Sequence, residues 1–359
     1  MNTQHAISND YVTPAAPAPV LMPNAVSLDN PAAVIGTVLD YYGLRSMNGR
    51  GEYDVTVTGR TYAAALRQFF AWVHATGRHM SKLTHTDIEQ YSARFAVKND
   101  NGKPLFAPST RKVYLTAVRQ FYKMLSAELG IMNPAANIKR VRIQTDGTHH
   151  HKPFTPAQET ALLESARTGD NYVTDKRGTE KKRGENVCRR DFAIVRLLDK
   201  LGLRTIEVVR LDVGDLRVDG DGYVLDVRGK GDKPRTMVVP PNTLSALLDY
   251  IKNDRKGAKA SDPLFVSLDH RPEHNGQRMT TATISRMVKR HAVAVGAYDS
   301  RHTAHSLRTT CACRIYTTTG KITDVQLELG HSDPKTSEIY ARDAMVEQNR
   351  KNSALYLID

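Results

Sequence analysis

The sequence contains little cysteine, a single tryptophan and no long apolar run. Its three cysteines, Cys188, Cys311 and Cys313, are odd in number and match no C-x-x-C zinc or redox motif. We therefore expect reduced structural thiols, with neither a disulfide framework nor a zinc site. No segment approaches the roughly 18 consecutive apolar residues of a membrane span, and the start does not resemble a signal peptide. These absences predict a soluble, cytoplasmic protein.

Basic side chains clearly outnumber acidic ones. Lys and Arg total 51 against 38 Asp and Glu, which gives a formal net charge of +13 in a chain of 359 residues. Such a balance indicates a polyanionic partner, with nucleic acid favoured over an anionic membrane surface. The length exceeds that of one compact domain, so we expect two domains plus tails.

The first part of the chain is predicted to be an arm followed by helices. Residues 1–30 are rich in Ala, Pro and Asn, which is typical of disorder. Residues 31–140 show helical periodicity. Two apolar stripes carry this prediction: Leu66, Phe69, Phe70 and Val73, and then Tyr114, Val118, Phe121 and Leu125.

The second of these helices begins near Pro108 and has a basic side, which makes it a candidate nucleic-acid surface. A basic stretch, residues 141–153, then links to a second domain at residues 154–359. The triple histidine at residues 149–151 favours a solvated loop over a metal site. The candidate DNA contacts are Arg111, Lys112, Arg119, Lys123, Arg140 and Arg142. For each of them a solvated surface charge is the alternative.

From Phe154 onward, helices mix with one β-hairpin. Ile194, Leu197, Leu198 and Leu201 form a helical stripe that Gly202 ends. Two β-like runs, residues 223–228 and 236–239, flank the turn-forming residues 229–232. The polar residues 168–190 are predicted to be an inserted surface loop. The expected fold class is therefore mainly α with a small β-hairpin or sheet (α+β).

Several groups suited to phosphate chemistry follow one another in this second domain. Arg204 lies just beyond a helix end, and Lys230 lies at the hairpin tip. His305 and Arg308 are three residues apart and share a helix face. His331 follows a glycine, and Tyr340 comes nine residues later. Together they offer a nucleophile, cations for a phosphate that gains charge, and an acid for the departing oxygen.

The order and spacing of these groups resemble those of the tyrosine recombinase, or phage integrase, family, of its simple two-domain Xer-like type. The resemblance is carried by four stretches: Leu197 to Glu207, Gly229 to Arg235, His305-Ser306-Leu307-Arg308, and Leu329-Gly330-His331-Ser332 leading to Tyr340. The chain departs from the family at Thr309, where a histidine commonly follows the arginine.

The resemblance implies a role for each of these residues. Tyr340 is the nucleophile that forms a 3′-phosphotyrosine, and Lys230 protonates the leaving 5′ oxygen. Arg204 and Arg308 hold the non-bridging oxygens, in the forked geometry that suits guanidinium. His305 and His331 complete the pocket, with His305 the better candidate for proton transfer. Glu207 occupies the family's acidic position and orients its neighbours. No cofactor, metal or ATP is implied.

The resemblance also implies an architecture and an assembly. A helical core-binding (SAM-like) domain and a catalytic domain would form a C-shaped clamp on double-stranded DNA target sites. A dimer would occupy one site and a homotetramer two, and accessory DNA-bending proteins are compatible with this arrangement. The apolar end of the chain, residues 354–358, is expected to pack against a neighbouring protomer, with packing against its own catalytic domain as the alternative. A bacterial, phage or mobile-element source fits this family.

Three other functions compete with site-specific recombination in integration, excision, inversion or resolution. A type IB topoisomerase uses a similar set of residues. A DNA-binding regulator of the same fold would have lost catalytic positions, and none is lost here. A basic RNA-binding or scaffold protein would explain the charge but not the four matching stretches.

Overall fold

The computed structural model divides into two compact units, Met1–Thr145 and Asp146–Asp359. It describes residues 28, 30–47, 53–98, 102, 106–138, 151–169, 173–174, 180–181, 184–229, 234–269, 271–330, 337–339, 341–342 and 344–346. Most of the predicted arm and the apolar end at residues 354–358 lie outside these ranges. Among the described helices, none is long and apolar enough to cross a membrane.

The first unit is a helical bundle with a small hairpin. Its elements are α1 (Pro31–Tyr41), β1 (Arg45–Met47), β2 (Tyr53–Val55), α2 (Val57–Ala75), α3 (His85–Ala93) and α4 (Pro108–Leu129). Thr56 caps α2 by accepting a hydrogen bond from the amide of Gly59 at 3.0 Å. Thr84 and Asp87 form a capping box at the start of α3. Polar residues that satisfy the first amides therefore set where these helices begin.

Aromatic rings fill the core of the first unit. Phe69 is fully buried, and burying such a side chain stabilises the fold by roughly 1.5–3 kcal/mol. Its ring centroid lies 5.0–6.3 Å from those of five others: Phe70, Trp72, Tyr91, Phe121 and Tyr122. The two apolar stripes predicted on α2 and α4 face this core, with only Tyr114 half-buried. The prediction of both helices is confirmed.

The hairpin of β1 and β2 was not expected among helices. The strands pair antiparallel, with Arg45 opposite Val55. The Arg45 guanidinium also pairs with Asp40 on α1 and lies 4.1 Å from the Tyr53 ring centre. The purely helical prediction for this stretch is wrong, because strands of three residues are too short to show an alternating pattern.

The second unit is built around α6. Its elements are α5 (Pro156–Thr168), β3 (Val173–Thr174), β4 (Glu180–Lys181), α6 (Glu185–Lys200), α7 (Thr205–Arg210), β5 (Leu216–Asp219), β6 (Gly222–Arg228), β7 (Pro234–Val238), α8 (Pro241–Asp254), α9 (Thr281–Ala294), α10 (Ala304–Thr319) and α11 (Ile322–Leu329). Helix α6 packs against α5, α8 and α10. Its predicted stripe is buried, with Ile194, Leu197 and Leu198 fully so. This stripe is confirmed.

The predicted hairpin is part of a three-stranded antiparallel sheet in the order β5-β6-β7. The hairpin itself is confirmed, and in its register Val227 lies opposite Arg235. Strand β5 was missed, although Gly220, with a φ of +57°, marks the turn between β5 and β6. The fold is mainly helical with small antiparallel sheets, as the sequence predicts.

The predicted surface loop at residues 168–190 is wrong at its end, where α6 begins at Glu185. Arg190 is buried there and donates from Nε and Nη2 to Asp191 Oδ1, at 3.0 and 2.7 Å. Its Nη1 donates to the carbonyl oxygen of Val266 at 3.2 Å. Paired charges replace apolar residues on this turn, so hydrophobic periodicity could not show the helix.

Candidate active site

Arg204 follows a loop that only glycine fits at position 202. Gly202 has a φ of +59°, and a Cβ there would clash with the Leu329 side chain and lie 3.1 Å from Cys311 Sγ. The chain thereby turns out of α6, and Arg204 becomes the residue that precedes α7. Its side chain is 27% exposed. The loop therefore presents a partly open guanidinium group.

The carboxylate of Glu207, on the first turn of α7, is held by two arginines. Arg204 donates from its main-chain nitrogen to Oε2 and from Nη1 to Oε1, both at 2.8 Å. Arg235 on β7 donates from Nη1 to Oε1 at 3.0 Å and from Nη2 to Oε2 at 2.9 Å. Burial alone would raise the pKa of Glu207, but the hydrogen bonds from Arg235 and Arg204 overcome it and lower the pKa to about 2. Glu207 is therefore an ionised anchor, not a proton donor.

Arg308 on α10 joins two loops of the site. Its Nη1 donates to the carbonyl oxygen of Gly202, and its Nη2 donates to that of Leu329 at 2.7 Å. Nη1 also lies 4.0 Å from Glu207 Oε2. The side chain is fully buried. Arg308 thus fixes the loop before Arg204 and the end of α11 to the same helix.

Two further residues on the same face of α10 hold the last turn of α6, which leads into the loop that precedes Arg204. Cys311 Sγ donates to the carbonyl oxygen of Lys200 at 3.6 Å, and Arg314 Nη1 donates to that of Asp199 at 3.2 Å. Residues 308, 311 and 314 are spaced by three and therefore lie on one side of the helix. Burial raises the pKa of the Cys311 thiol to about 12, which indicates an unreactive thiol.

A cluster of charged side chains surrounds the contact between Arg314 and Asp199. Arg314 Nη2 lies 2.8 Å from Asp199 Oδ1 and 3.1 Å from Glu159 Oε1, while Lys200 Nζ lies 2.9 Å from Asp199 Oδ2. Burial raises the pKa of Asp199. Burial would also raise the pKa of Glu159, but the hydrogen bond from Lys200 and the charges of Arg314 and Lys200 together outweigh it and lower that pKa. These contacts fasten α5, α6 and α10 together directly behind the Arg204 loop.

His305 is half-buried on the first turn of α10. Thr303 caps this helix and accepts a hydrogen bond from the His305 amide at 3.1 Å. The His305 ring lies against that of His151, with centroids 4.8 Å apart and planes at 68°. The prediction of a solvated loop at residues 149–151 is wrong at His151, because its ring is half-buried against another imidazole.

Three of the predicted catalytic residues, Lys230, His331 and Tyr340, lie outside the described residues. Gly330, the residue before His331, is among the described residues. It has a φ of +62°, and a Cβ added to it would lie 3.1 Å from Arg235 Cδ. The structure therefore brings together Arg204, Glu207 and Arg308, and sets the end of α11 beside Arg235.

The predicted DNA contacts on α4 fall into two kinds. Lys112 and Lys123 are exposed. By contrast, Arg111 donates from Nη2 to Ser92 Oγ at 3.0 Å, and Arg119 donates to the carbonyl oxygen of Ile138. The two arginines therefore tie α4 to neighbouring segments of its own unit. Arg140 and Arg142 lie outside the described residues.

Sequence reasoning assigned no role to Arg235, His151 or Arg314. Arg235 closes the motif at residues 229–235, but its pairing with Glu207 follows from the strand register. For Arg235, the available signal was that a charged residue stands in a strand directly opposite an apolar one. His151 and Arg314 gave no such signal, because their partners lie more than 100 positions away.

The assembled site carries an excess of positive charge. Three guanidinium groups, those of Arg204, Arg235 and Arg308, surround one carboxylate, that of Glu207. Within the described part of the chain, no group of three or more His, Cys, Asp or Glu side chains could hold a metal ion. Guanidinium groups around a partly open loop can bind a phosphate diester and stabilise the charge that it gains during attack.

Two sequence profiles match the chain, one in each unit. The profile described as phage integrase family matches residues 180–347. The profile described as phage integrase, N-terminal SAM-like domain, matches residues 55–131. Together these ranges span more than half of the chain.

Curated relatives include two proteins named tyrosine recombinase XerC. The one from Alcanivorax borkumensis is 29% identical over 261 residues, which cover 72% of this chain and 75% of the relative. The one from Caldanaerobacter subterraneus subsp. tengcongensis is 33% identical over 153 residues. That second match covers 42% of this chain and 40% of the relative, so it is confined to less than half of each protein.

Two similar solved structures are complexes with DNA. XerH site-specific recombinase bound to palindromic difH substrate, in a post-cleavage complex, has a TM-score of 0.67 and 18% identity, over 91% of this chain and 85% of that one. A lambda integrase tetramer bound to a Holliday junction has a TM-score of 0.58 and 15% identity, over 89% and 79%. At these identities the likeness concerns the fold alone.

Proposed function

The chain belongs to the tyrosine recombinase, or phage integrase, family, and we propose that it is a site-specific recombinase that cuts and rejoins DNA through a 3′-phosphotyrosine. The observation that carries the proposal is the cationic site formed by Arg204, Arg235 and Arg308 around Glu207. Two of these arginines occupy the positions at which the family binds phosphate. The relatives named as recombinases support the same activity.

The proposed reaction is an exchange of phosphodiester bonds. The hydroxyl oxygen of Tyr340 attacks the scissile phosphorus, and the bond between phosphorus and the 5′ oxygen breaks. Lys230 gives a proton to that oxygen, while His305 is the candidate to take the proton of the tyrosine. Attack by a 5′ hydroxyl of another strand reverses the step. One phosphodiester replaces another, so the cycle needs no ATP.

The arginines supply the positive charge that this transition state needs. Arg204 is partly open and would hold a non-bridging oxygen directly, with His331 completing the pocket. The Arg308 side chain is fully buried. Its contact with phosphate would therefore follow a rearrangement near Gly202 and Leu329 when DNA binds. With guanidinium groups in this role, we expect cleavage without a divalent metal ion.

We propose that the active form is a homotetramer on two double-stranded DNA sites, with a dimer on each site. The structural relative solved as a lambda integrase tetramer on a Holliday junction supports this assembly. The match of residues 55–131 to an integrase N-terminal domain favours a recombinase over a type IB topoisomerase. Retention of Arg204, Arg308 and Tyr340 favours an enzyme over an inactive regulator of the same fold.

Covalent capture tests the proposal. A Tyr340→Phe chain, which should bind but not cut, first selects its site from a pool of randomised DNA duplexes. A nicked version of the selected site should then give an SDS-stable protein–DNA adduct with the natural chain and none with Tyr340→Phe. The adduct should also form in EDTA. An adduct with the Phe variant, or a strict requirement for a divalent ion, would contradict the mechanism.

A further inference from the structure

The segment that enters the second unit lies against the first half of α10. His151 contacts Thr303 and His305 at the start of this helix. Three residues later, the amide of Phe154 donates to Thr310 Oγ1 at 2.9 Å. The Phe154 side chain is buried and stacks on a further imidazole, that of His302, with centroids 4.5 Å apart and planes at 14°. The entering chain is thus fixed at both ends to the helix that carries His305 and Arg308.

His151 contacts His305 in two ways. Directly, the two rings meet edge to face, an arrangement that aromatic rings favour. Indirectly, His151 Nδ1 lies 3.1 Å from Thr303 Oγ1, and the same Oγ1 accepts the hydrogen bond from the His305 amide. One side chain therefore touches both the ring of His305 and the cap that fixes its backbone.

We propose that His151 is a positioning residue for DNA cleavage, which holds the His305 ring in the orientation needed to exchange a proton with the reacting groups. The inference rests on the proposed function, because it gives His305 a role in proton transfer. It assigns part of the site to the triple-histidine motif, for which the sequence suggested only a solvated loop.

The Thr303 hydroxyl makes this contact as a donor to a neutral Nδ1 of His151, because its oxygen already accepts the amides of His305 and Ser306. Other charged or titratable groups on the elements that meet here are Lys152, Asp299, Arg301, His302 and Arg308. A change at His151 therefore alters the titration of His305, because it changes a residue in direct contact with that ring. The other charged groups stay in place.

Two substitutions separate the two contacts. His151→Asn retains a polar atom near the position of Nδ1 and can keep the hydrogen bond to Thr303, but it loses the ring contact. His151→Phe keeps a ring against His305 and loses the hydrogen bond. His151→Ala loses both. His274→Ala is the matched control, because His274 is an exposed histidine of the same unit.

The first measurement is the rate of adduct formation on the nicked substrate as a function of pH. We expect the Asn and Phe variants to cleave about 10-fold more slowly and the Ala variant about 100-fold, which reaches the lower end of the roughly 10²–10⁴-fold that positioned proton transfer contributes. The limb of the pH profile near neutrality should move, and DNA binding should stay unchanged. A role in folding alone would lower thermal stability without moving the profile. That outcome, or a profile of His151→Ala equal to that of His274→Ala, would overturn the proposal.

The second measurement does not depend on cleavage. In the full chain with labelled histidine side chains, NMR follows the titration of His305, identified through a His305→Gln variant among the 13 histidines. We expect His151→Phe and His151→Ala to shift its midpoint and the control not to. An unchanged midpoint overturns the role of His151. A shifted midpoint in a chain that forms no adduct would instead support the contact and contradict the proposed function.

Discussion

Arg235 and Glu207 form a two-pronged ion pair, with Nη1 3.0 Å from Oε1 and Nη2 2.9 Å from Oε2. The same carboxylate accepts two hydrogen bonds from Arg204. One negative charge therefore offsets the repulsion between two guanidinium groups and aligns both. The hydrogen bonds of such a two-pronged ion pair are shorter and stronger than those between neutral groups. The pair links β7 to the loop that presents Arg204.

We expect Glu207→Gln to destabilise the fold at neutral pH and to weaken its acid sensitivity. The pKa of Glu207 falls from its ordinary 4.5 to about 2 in the folded chain. A carboxyl group with a lowered pKa stabilises the fold above pH 4.5, and this stabilisation is lost as the pH falls towards 2. The contribution is on the order of 3 kcal/mol. Urea unfolding at pH 7, 4 and 3 should show the gap between natural chain and variant shrinking with acidity.

The matched control is Glu273→Gln, which changes an exposed carboxyl of the same unit. Its free energy of unfolding should follow that of the natural chain at every pH. A gap between the Glu207→Gln variant and the natural chain that stays constant from pH 7 to pH 3 would show that the ion pairs with Glu207 do not depress its titration.

A second prediction concerns the shape of Arg235. We expect Arg235→Lys to slow cleavage at least 10-fold, because an ammonium group cannot make both hydrogen bonds to Glu207 and Arg204 loses its alignment. Arg217→Lys is the control, since Arg217 lies on β5 of the same sheet and its partner Asp226 is more exposed. The rate of adduct formation in a single turnover is measured for both variants. Equal rates would contradict a role for the two-pronged ion pair between Arg235 and Glu207.

The sequence predicted elements that depend on periodicity and local signals. The stripes on α2, α4 and α6 and the hairpin of β6 and β7 were all found in this way, because core-facing residues repeat along each element. The hairpin of β1 and β2 was missed because strands of three residues are too short for a repeat. Strand β5 was missed because three of its four residues are exposed, so it shows no alternating pattern. The start of α6 was missed because Arg190 and Asp191 bury paired charges where apolar residues are usual.

The features of the site that the sequence could not predict depend on contacts between residues that are far apart in the chain. The order and spacing of the stretches that resemble the family led to the prediction of Arg204, Glu207 and Arg308. They could not identify the partner of Glu207, since Arg235 reaches it only through the strand register. They also could not show that Arg314 holds the last turn of α6 through Asp199, which is 115 residues away. Local patterns carry no information on such contacts.

A third prediction distinguishes the four described basic residues of α4. Lys112 and Lys123 are exposed, whereas Arg111 and Arg119 bond within their own unit. We expect each Lys→Ala change to weaken binding to all DNA sequences alike and to lower the slope of log affinity against log salt by about 1. Arg111→Ala should chiefly lower the melting temperature. Gel shifts at several salt concentrations test this, and unchanged slopes for both lysine variants would remove α4 from the DNA interface.

The last prediction assigns the proton that the leaving group needs. Lys230 lies in the sequence between β6 and β7, within the stretch that carries the family resemblance, and is therefore the candidate acid. A 5′ alkoxide is a poor leaving group, and we expect Lys230→Ala to slow cleavage by 10²-fold or more. Replacement of the bridging 5′ oxygen by sulfur supplies a leaving group that needs no acid. The variant should then regain most of its rate, whereas Arg204→Ala, which removes charge stabilisation, should stay slow on both substrates. Single-turnover rates for the two variants on the two DNAs separate acid catalysis from positioning. Equal defects of Lys230→Ala on oxygen and sulfur would mean that the lysine does not deliver the proton.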